Sequence, residues 1–365
     1  MRTRKILVNV LRVAVSAALI WVAVRMIDVK DRFVVRLASG AEVEAESVEE
    51  RPEEVVGRLA GGSEQRWPRA EVKEVRRREG LLSLWARADR AWAIVLTPLL
   101  LVPIVTLSWR WWTLLRANAF AVPFGRVFVL TYMGLFFNQF LPGAVGGDLA
   151  RMYLTARDEQ RKAAAATTVL LDRVVGLATM IVVAALAVIP LAGDERLRVP
   201  VITVLSLFGA MALGWAAYVS PLGRAVKRRL PFQPVVVEID GVLRDATTRP
   251  RLMAATCAQS FVGQAAAVLI AYGFAHALGL RVPLAAFFLF EVIIFILAAV
   301  PVSVGGWGVQ EVAYAQLFAT VGVPANEAVA LSILLRLAVL AVSLPAGALF
   351  ALGWHRSPPA DNVAA

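Results

Sequence analysis

The sequence predicts an all-α polytopic membrane protein of about six spans, with two re-entrant hairpins in an inverted repeat and a small β-rich extramembrane insertion. Three observations predict it: apolar runs of span length recur along the chain, a Pro-x-x-Val-Gly-Gly motif occurs twice, and basic residues collect between the runs. Of 365 residues, 59% are apolar and 18% charged, beyond the apolar share of an ordinary soluble domain. Runs long enough to cross the hydrocarbon, about 20 residues each, occupy 92–115, 163–190, 199–219, 252–279 and 327–352. A sixth run, 6–27, follows the basic Met1 to Lys5 and contains Arg12 and Arg25. No small-residue cleavage site follows it, so it reads as a signal anchor.

The formal net charge is +11. A nucleic-acid partner is not expected, because the excess sits in short loops beside the spans, the pattern that marks the cytoplasmic side and meets anionic lipid. The basic stretches are Met1 to Lys5, Arg110 to Arg126, Arg151 to Lys162, 224–251 with seven Lys/Arg against three acids, and His355-Arg356. Placing them inside gives cytoplasmic termini and six crossings. Trp109, Trp111 and Trp112 read as an interfacial belt. The insertion at 28–90 lies outside; Phe33 to Leu37, then Ser39-Gly40, then Val43 and Val48 among glutamates reads as strand, turn and strand. The expected organisation is a first helix at 1–27, the insertion at 28–90, a first membrane repeat at 91–190, a connecting span and basic loop at 191–251, a second repeat at 252–352 and a tail at 353–365.

Two stretches, 124–156 and 283–318, fit neither a loop nor a span. Each holds the motif, with Pro142, Gly143, Gly146 and Gly147 in the first and Pro301, Gly305 and Gly306 in the second. Downstream, Thr168-Val-Leu-Leu-Asp-Arg173 is echoed by Ser332-Ile-Leu-Leu-Arg336; the prolines lie 159 residues apart and the arginines 163. Proline breaks a helix and paired glycines let the chain turn sharply, so each stretch is expected to dip into the membrane and return. The charge-based topology puts the flanks of the first inside and those of the second outside, which inverts the copies. Broken helices at matching positions of inverted repeats are a recurrent plan of secondary transporters. Non-helical backbone at that depth must be buried in protein or line a cavity.

Asn138, Leu141-Pro142-Gly143, Gly146-Gly147-Asp148, Arg151, Asp172-Arg173, Gly176, Pro301, Ser303, Gly305-Gly306, Gly308, Glu311 and Arg336 together resemble the transmembrane region of lysylphosphatidylglycerol synthases and the flippase-like membrane proteins related to it. The resemblance spans roughly 92–352. It implies movement of an anionic or aminoacylated lipid, or of a lipid-linked precursor, between leaflets. Only about a dozen residues follow the last span, so the soluble aminoacyl-transferase domain of the bifunctional synthases is not expected here.

Arg173 and Arg336 lie ten and nine residues into their runs, about 15 Å deep at the helical rise. A charge there is expensive and faces a cavity or a partner. A guanidinium fork suits phosphate, which makes the pair candidates for a lipid headgroup; the structural alternative neutralises Arg336 with Glu291 or Glu311 and Arg173 with Asp148. Asp148 is placed to cap a half-helix, with Arg151 three residues on. Asn138, Asp148, Arg151, Ser303 and Glu311 complete the candidate substrate-binding set. Asp172, Glu291 and Glu311 are candidate proton carriers, with fixed ion pairs as the alternative. His276 and His355 have no metal-ligand neighbours, and no Walker sequence is present. No metal, cofactor or nucleotide is therefore expected. The leading expectation is a lipid translocase of the bacterial cytoplasmic membrane, not an enzyme; a membrane-embedded lipid transferase and a scaffold for an envelope glycosyltransferase remain alternatives.

Overall fold

The computed structural model describes residues 30–59, 61–140, 146–156, 161–191, 193–229, 233–300 and 303–354. The expected first span, the tail from 355, and Pro142, Gly143 and Pro301 lie outside the described residues. The described residues open with a small β-unit and continue as a helical membrane bundle.

Six strands build the β-unit: β1 (Arg32–Leu37), β2 (Glu42–Ala45), β3 (Ser47–Glu50), β4 (Glu54–Arg58), β5 (Glu64–Pro68) and β6 (Val72–Arg78). All pairings are antiparallel, in the orders β2-β1-β6 and β3-β4-β5. Alternation along the strands puts Val35, Val55, Trp67 and Val72 inside, while Arg32 pairs with Glu44 and Arg36 with Glu42 across strands. The unit is fastened where the chain leaves it. Asp31 accepts the Gly80 amide at 2.7 Å and pairs with Arg77, and a Cβ on Gly80 would fall 2.3 Å from the Lys30 carbonyl carbon. Burial disfavours the Asp31 carboxylate, but the Gly80 amide, the Ser83 hydroxyl and Arg77 outweigh it and hold the group below its usual range.

Thirteen helices follow among the described residues: α1 (Leu81–Arg87), α2 (Arg90–Leu99), α3 (Leu101–Ala117), α4 (Phe124–Phe140), α5 (Gly146–Ala156), α6 (Lys162–Ala187), α7 (Arg198–Val219), α8 (Pro221–Arg229), α9 (Gln233–Thr248), α10 (Pro250–Ala277), α11 (Leu284–Ala299), α12 (Val309–Ala319) and α13 (Ala325–Ala351). Five stretches are long and apolar enough to cross a membrane: α2 with α3, α6, α7, α10 and α13. They coincide with the five firm runs of the sequence. Ile94, Val199 and Leu213 are each 73% exposed on them, an apolar surface suited to lipid rather than water. The basic 224–251 segment is not the loop its charge suggested. It forms α8 and α9, joined by Lys227 at 2.5 Å and the Tyr218 hydroxyl at 2.6 Å from Asp240, and Val242 of α9 is buried in the core beside α6.

Hydrogen bonds between helix ends set the bundle's polarity. The Asp89 amide donates to Ala277 and the Asn326 side chain to Glu79, which gathers the start of α2, the end of α10 and the start of α13 beside the β-unit. Arg249 donates to the Ala117 carbonyl and Arg161 to that of Asn118. The end of α3 and the starts of α6 and α10 therefore share the opposite end.

Each interrupted stretch contains two helices, α4 and α5 in the first and α11 and α12 in the second. In the first, α5 folds back on α4 so closely that a Cβ on Gly147 would sit 2.0 Å from the Gly134 carbonyl oxygen. In the second, Gly305, Gly306 and Gly308 at φ +56°, +78° and +81° turn the chain between α11 and α12, in a region open to glycine at little strain. A Cβ on Gly305 would fall 2.6 Å from the Gln139 carbonyl oxygen, so the two breaks abut. Phe274, Phe287, Phe290, Phe318 and Leu331 pack α10 to α13 into one buried cluster.

Candidate functional site

An unpaired charge in an apolar bundle is strongly disfavoured, so the buried arginines reveal where the fold concentrates its polar groups. Arg110 of α3 donates through Nε to Asp172 Oδ1 at 2.6 Å and through Nη1 to Ser260 Oγ at 2.7 Å. Arg151 of α5 donates to Asp172 Oδ2 at 3.1 Å and to Asp148 Oδ1 at 3.2 Å. Arg173 Nη1 lies 3.0 Å from Asp148 Oδ2. The result is one linked chain, Arg110–Asp172–Arg151–Asp148–Arg173, in which three guanidiniums face two carboxylates. One positive charge is left in excess within the chain. Aromatic faces adjoin two of the arginines: Arg151 lies 4.1 Å from the centre of the Trp111 ring and Arg173 4.9 Å from that of Phe295.

Helix geometry explains the placement. Asp172 and Arg173 are neighbours on α6 and point about 100° apart, so Asp172 enters the knot at 2% side-chain exposure while Arg173 keeps 28%. Gly176, one turn on, makes room for Arg110: a Cβ there would lie 2.9 Å from its Nη1. Asn138 closes α4 and accepts the Gly147 amide at 2.6 Å, supplying the cap at the start of α5 that Asp148 was expected to give. Asp148 spends its carboxylate on the two arginines instead.

The chain forms one wall of a cavity of about 350 Å³ between α3, α6, α10 and α11. Asn138, Gln259, Ser260, Gln264 and Glu291 add polar groups, while Leu107, Leu177, Met180, Val183, Phe288 and Phe295 make the remainder apolar. Glu291 Oε1 accepts from the Tyr314 hydroxyl at 2.6 Å. The lining thus combines charged and polar side chains with apolar ones.

Arg336 is placed differently. Its Nε donates to Glu311 Oε1 at 2.9 Å, Nη1 to the Gly305 carbonyl at 2.9 Å, and Nη2 to the Gly306 carbonyl at 3.2 Å and Gln310 Oε1 at 2.7 Å. The guanidinium lies 4.2 Å from the Trp307 ring centre. Glu311 Oε2 in turn accepts the Gly308 amide at 2.7 Å. This knot ties the second break to α13, and Arg336 does not line the cavity with Arg173. Ser303 is fully buried beside the break and Glu311 is 3% exposed. The structure thus gathers Asn138, Asp148, Arg151, Asp172, Arg173 and Glu291 at the cavity and leaves Ser303, Glu311 and Arg336 at the second break.

Sequence reasoning missed Arg110, Gln259, Ser260 and Gln264. Arg110 carried a usable signal, a charge inside the 92–115 run, but its tryptophan neighbours drew it into the interfacial belt. That reading fails for Trp111, which is fully buried and donates to Thr168 Oγ1 at 3.1 Å; Trp109 remains 51% exposed. The α10 polar residues carried only their polarity within a span.

Fold and cavity together define a polytopic helical membrane protein with a polar site buried among its spans. The chain belongs to the family of the lysylphosphatidylglycerol synthase TM region, whose model matches residues 78–347. It is also similar to a UPF0104 membrane protein of Pyrococcus horikoshii, at 25% identity over 289 residues, covering 71% of this chain and 86% of that one. Strands β1 to β5 precede the residues that the family model matches.

Proposed function

We propose that the protein is a lipid translocase of the bacterial cytoplasmic membrane, passing a lipid with an anionic headgroup, or a lipid-linked precursor, between leaflets through the α3/α6/α10/α11 cavity. The observation that carries the reading is the cavity wall: a linked chain of three arginines and two aspartates with one positive charge in excess, beside an apolar wall suited to acyl chain. Arg173 is the proposed phosphate contact, because its side chain keeps 28% exposure while Arg151 keeps 3%. A guanidinium fork gives phosphate two charge-assisted hydrogen bonds.

The two interrupted stretches act, in this reading, as inverted re-entrant pairs. Support comes from their flanks: Asn118 and Arg161 bond at one end of the bundle, while Ala277 and Asn326 are held at the other. The end bearing Arg161 and Arg249 faces the cytoplasm. Glu291 is the proposed proton carrier, since it accepts from a neutral phenol whereas Asp172 and Glu311 each face guanidinium.

Reconstitution tests the reading directly. Vesicles containing the purified chain and headgroup-labelled phosphatidylglycerol are expected to exchange label between leaflets faster than protein-free vesicles. Arg173→Ala removes most of that acceleration, and Glu291→Gln removes its response to an imposed pH gradient. Exchange no faster than in protein-free vesicles overturns the proposal, and appearance of a new lipid species favours a transferase.

A further inference from the structure

Helix α8 carries an apolar face that the described residues do not cover. Ser220 ends α7 in an extended conformation, ψ 162°, and its Oγ accepts the Gly223 amide at 3.0 Å. It thereby caps α8, whose first residue is Pro221, at the one place in a helix where a missing amide hydrogen is not needed. Gly223 lets α8 fold tightly over the last turn of α7, since a Cβ there would sit 2.3 Å from the Ala217 carbonyl oxygen. Four residues on, Lys227 reaches Asp240 of α9, and its Nζ lies 3.9 Å from the centre of the Tyr218 ring. Positions 223 and 227 therefore face the protein. Leu222 and Val226, one turn apart on another face, are 72% and 52% exposed.

The position of α8 supplies a neighbour for that face. The helix starts one residue beyond the end of a span, where Trp215 and Tyr218 stack 5.6 Å apart at the level of an interfacial aromatic belt. Leu213, Trp215 and Val219 of α7 are exposed leading up to it, and Leu222 and Val226 continue that apolar series past the end of the span. This is the end of the bundle that bears Arg161 and Arg249, because Val242 of α9 packs in one cluster with Leu115, Phe120 and Ala164. Among its nine residues α8 has Arg224, Lys227, Arg228 and Arg229 and no acid. Lys227 is taken by Asp240, which leaves three arginines; positions 224 and 228 fall about 200° round the helix from 222 and 226. A short helix that is apolar on one side and basic on the other suits the interface of an anionic membrane. We infer that α8 is an in-plane anchor that docks this end of the protein on anionic lipid headgroups, with Leu222 and Val226 entering the acyl boundary and the arginines of 224–229 meeting phosphates. Among the described residues none of α8 or α9 lines the cavity, so the anchor stands or falls independently of lipid passage.

The test uses the full chain with photoreactive benzoylphenylalanine in place of Leu222, reconstituted in vesicles of phosphatidylcholine and phosphatidylglycerol in equal amounts. After irradiation, mass spectrometry identifies the lipid attached to the protein. Phosphatidylglycerol is expected in about fivefold excess, the enrichment that one basic residue near the surface supplies, and the excess should shrink as added salt screens the charges. Arg224→Gln/Arg228→Gln/Arg229→Gln, which leaves Lys227 on Asp240, should bring the two lipids to parity. The same photoreactive residue in place of Leu205, exposed on the outer half of α7, should capture both lipids equally in every case. Should the triple variant fail to fold, the salt dependence with the arginines intact still decides. Equal capture at 222 with the arginines present overturns the inference, as does an excess that neither salt nor the glutamines reduce. Capture of no lipid at 222, with capture at 205 retained, also overturns it, placing α8 in water as a surface for a cytoplasmic protein.

Discussion

The two interrupted stretches share a Gly-Gly pair, which opens α5 in the first and turns the chain before α12 in the second, and they differ in the sign of the charge on the half-helix that follows. After the first break, Arg151 on the half-helix bonds Asp172 on the span that follows. After the second, Glu311 on the half-helix bonds Arg336 on the span that follows. The polarity is reversed, yet in both a guanidinium lies against a tryptophan, Trp111 in one and Trp307 in the other. What persists is a buried ion pair pinning a half-helix to the next span, so the pair is architecture. What differs is its surplus. The second knot closes on itself, with Arg336 meeting Glu311, Gln310 and two carbonyls. The first continues through Arg110 and Arg173 to the cavity. The knot that does not close on itself is the one that lines the cavity.

The largest effect that would break this comparison is in the closed knot. Arg336→Ala strands Glu311 without its counter-charge, and removing one member of a buried pair destabilises by about 3–5 kcal/mol. Unfolding of the detergent-solubilised protein should shift accordingly, whereas Arg173→Ala leaves Asp148 paired with Arg151 and should shift unfolding less while abolishing lipid binding. Equal destabilisation by both would mean that the two knots play the same part. Exchanging the charges, with Arg336→Glu and Glu311→Arg together, should recover part of the loss, since the reversed polarity already holds the first break.

A smaller effect tests what the stretches share. Gly147→Ala places a Cβ 2.0 Å from the Gly134 oxygen, and Gly305→Ala one 2.6 Å from the Gln139 oxygen at φ +56°. Forced backbone shifts of this kind cost about 1–3 kcal/mol, and both variants should show it in thermal unfolding. A silent substitution at either site would mean that its break is not closely packed.

The smallest effect lies outside both knots, at the Asp31 fastening of the β-unit. Its folded pKa is depressed, so the stability it contributes is complete above the unfolded value of 3.8 and is lost as pH falls through the lower folded value. Hydrogen exchange at Gly80 should rise, relative to its intrinsic rate, below about pH 4, and Asp31→Asn should remove that dependence. Protection in α5 and α12 should not follow the same titration.

Much of the bundle was legible in the sequence, because a span must be apolar for its full length and that leaves a long signal. The division of each interrupted stretch into two helices was legible for the same kind of reason, a Pro and Gly punctuation written twice. The site was legible only in part. Arg173 stood out as a charge within an apolar run, and its structural alternative, Asp148, proved to be its neighbour. Arg110 had the same credential but lay among tryptophans at the edge of its run, where an interfacial reading competes. Nothing local distinguishes Gln259 and Gln264, whose side-chain partners, Thr113 and Gly176, lie on other helices. The helices α8 and α9 were hidden because seven basic residues in 224–251 outweigh a short apolar stripe.

The distribution of ion-pair partners along the chain has a consequence for biogenesis. A span carrying Asp or Arg at its centre inserts at a penalty of about 2.5–3.5 kcal/mol per charge until it meets its partner. Arg336 and Glu311 are 25 residues apart, so the closed knot is complete as soon as α12 and α13 have both been delivered to the bilayer. Arg110 waits 62 residues for Asp172 and 150 for Ser260. During synthesis α3 must therefore be held at the insertion machinery, or paired with water, until α6 emerges, and its polar shell is finished only when α10 arrives. The knot that lines the cavity is the one that must be assembled from distant parts of the nascent chain.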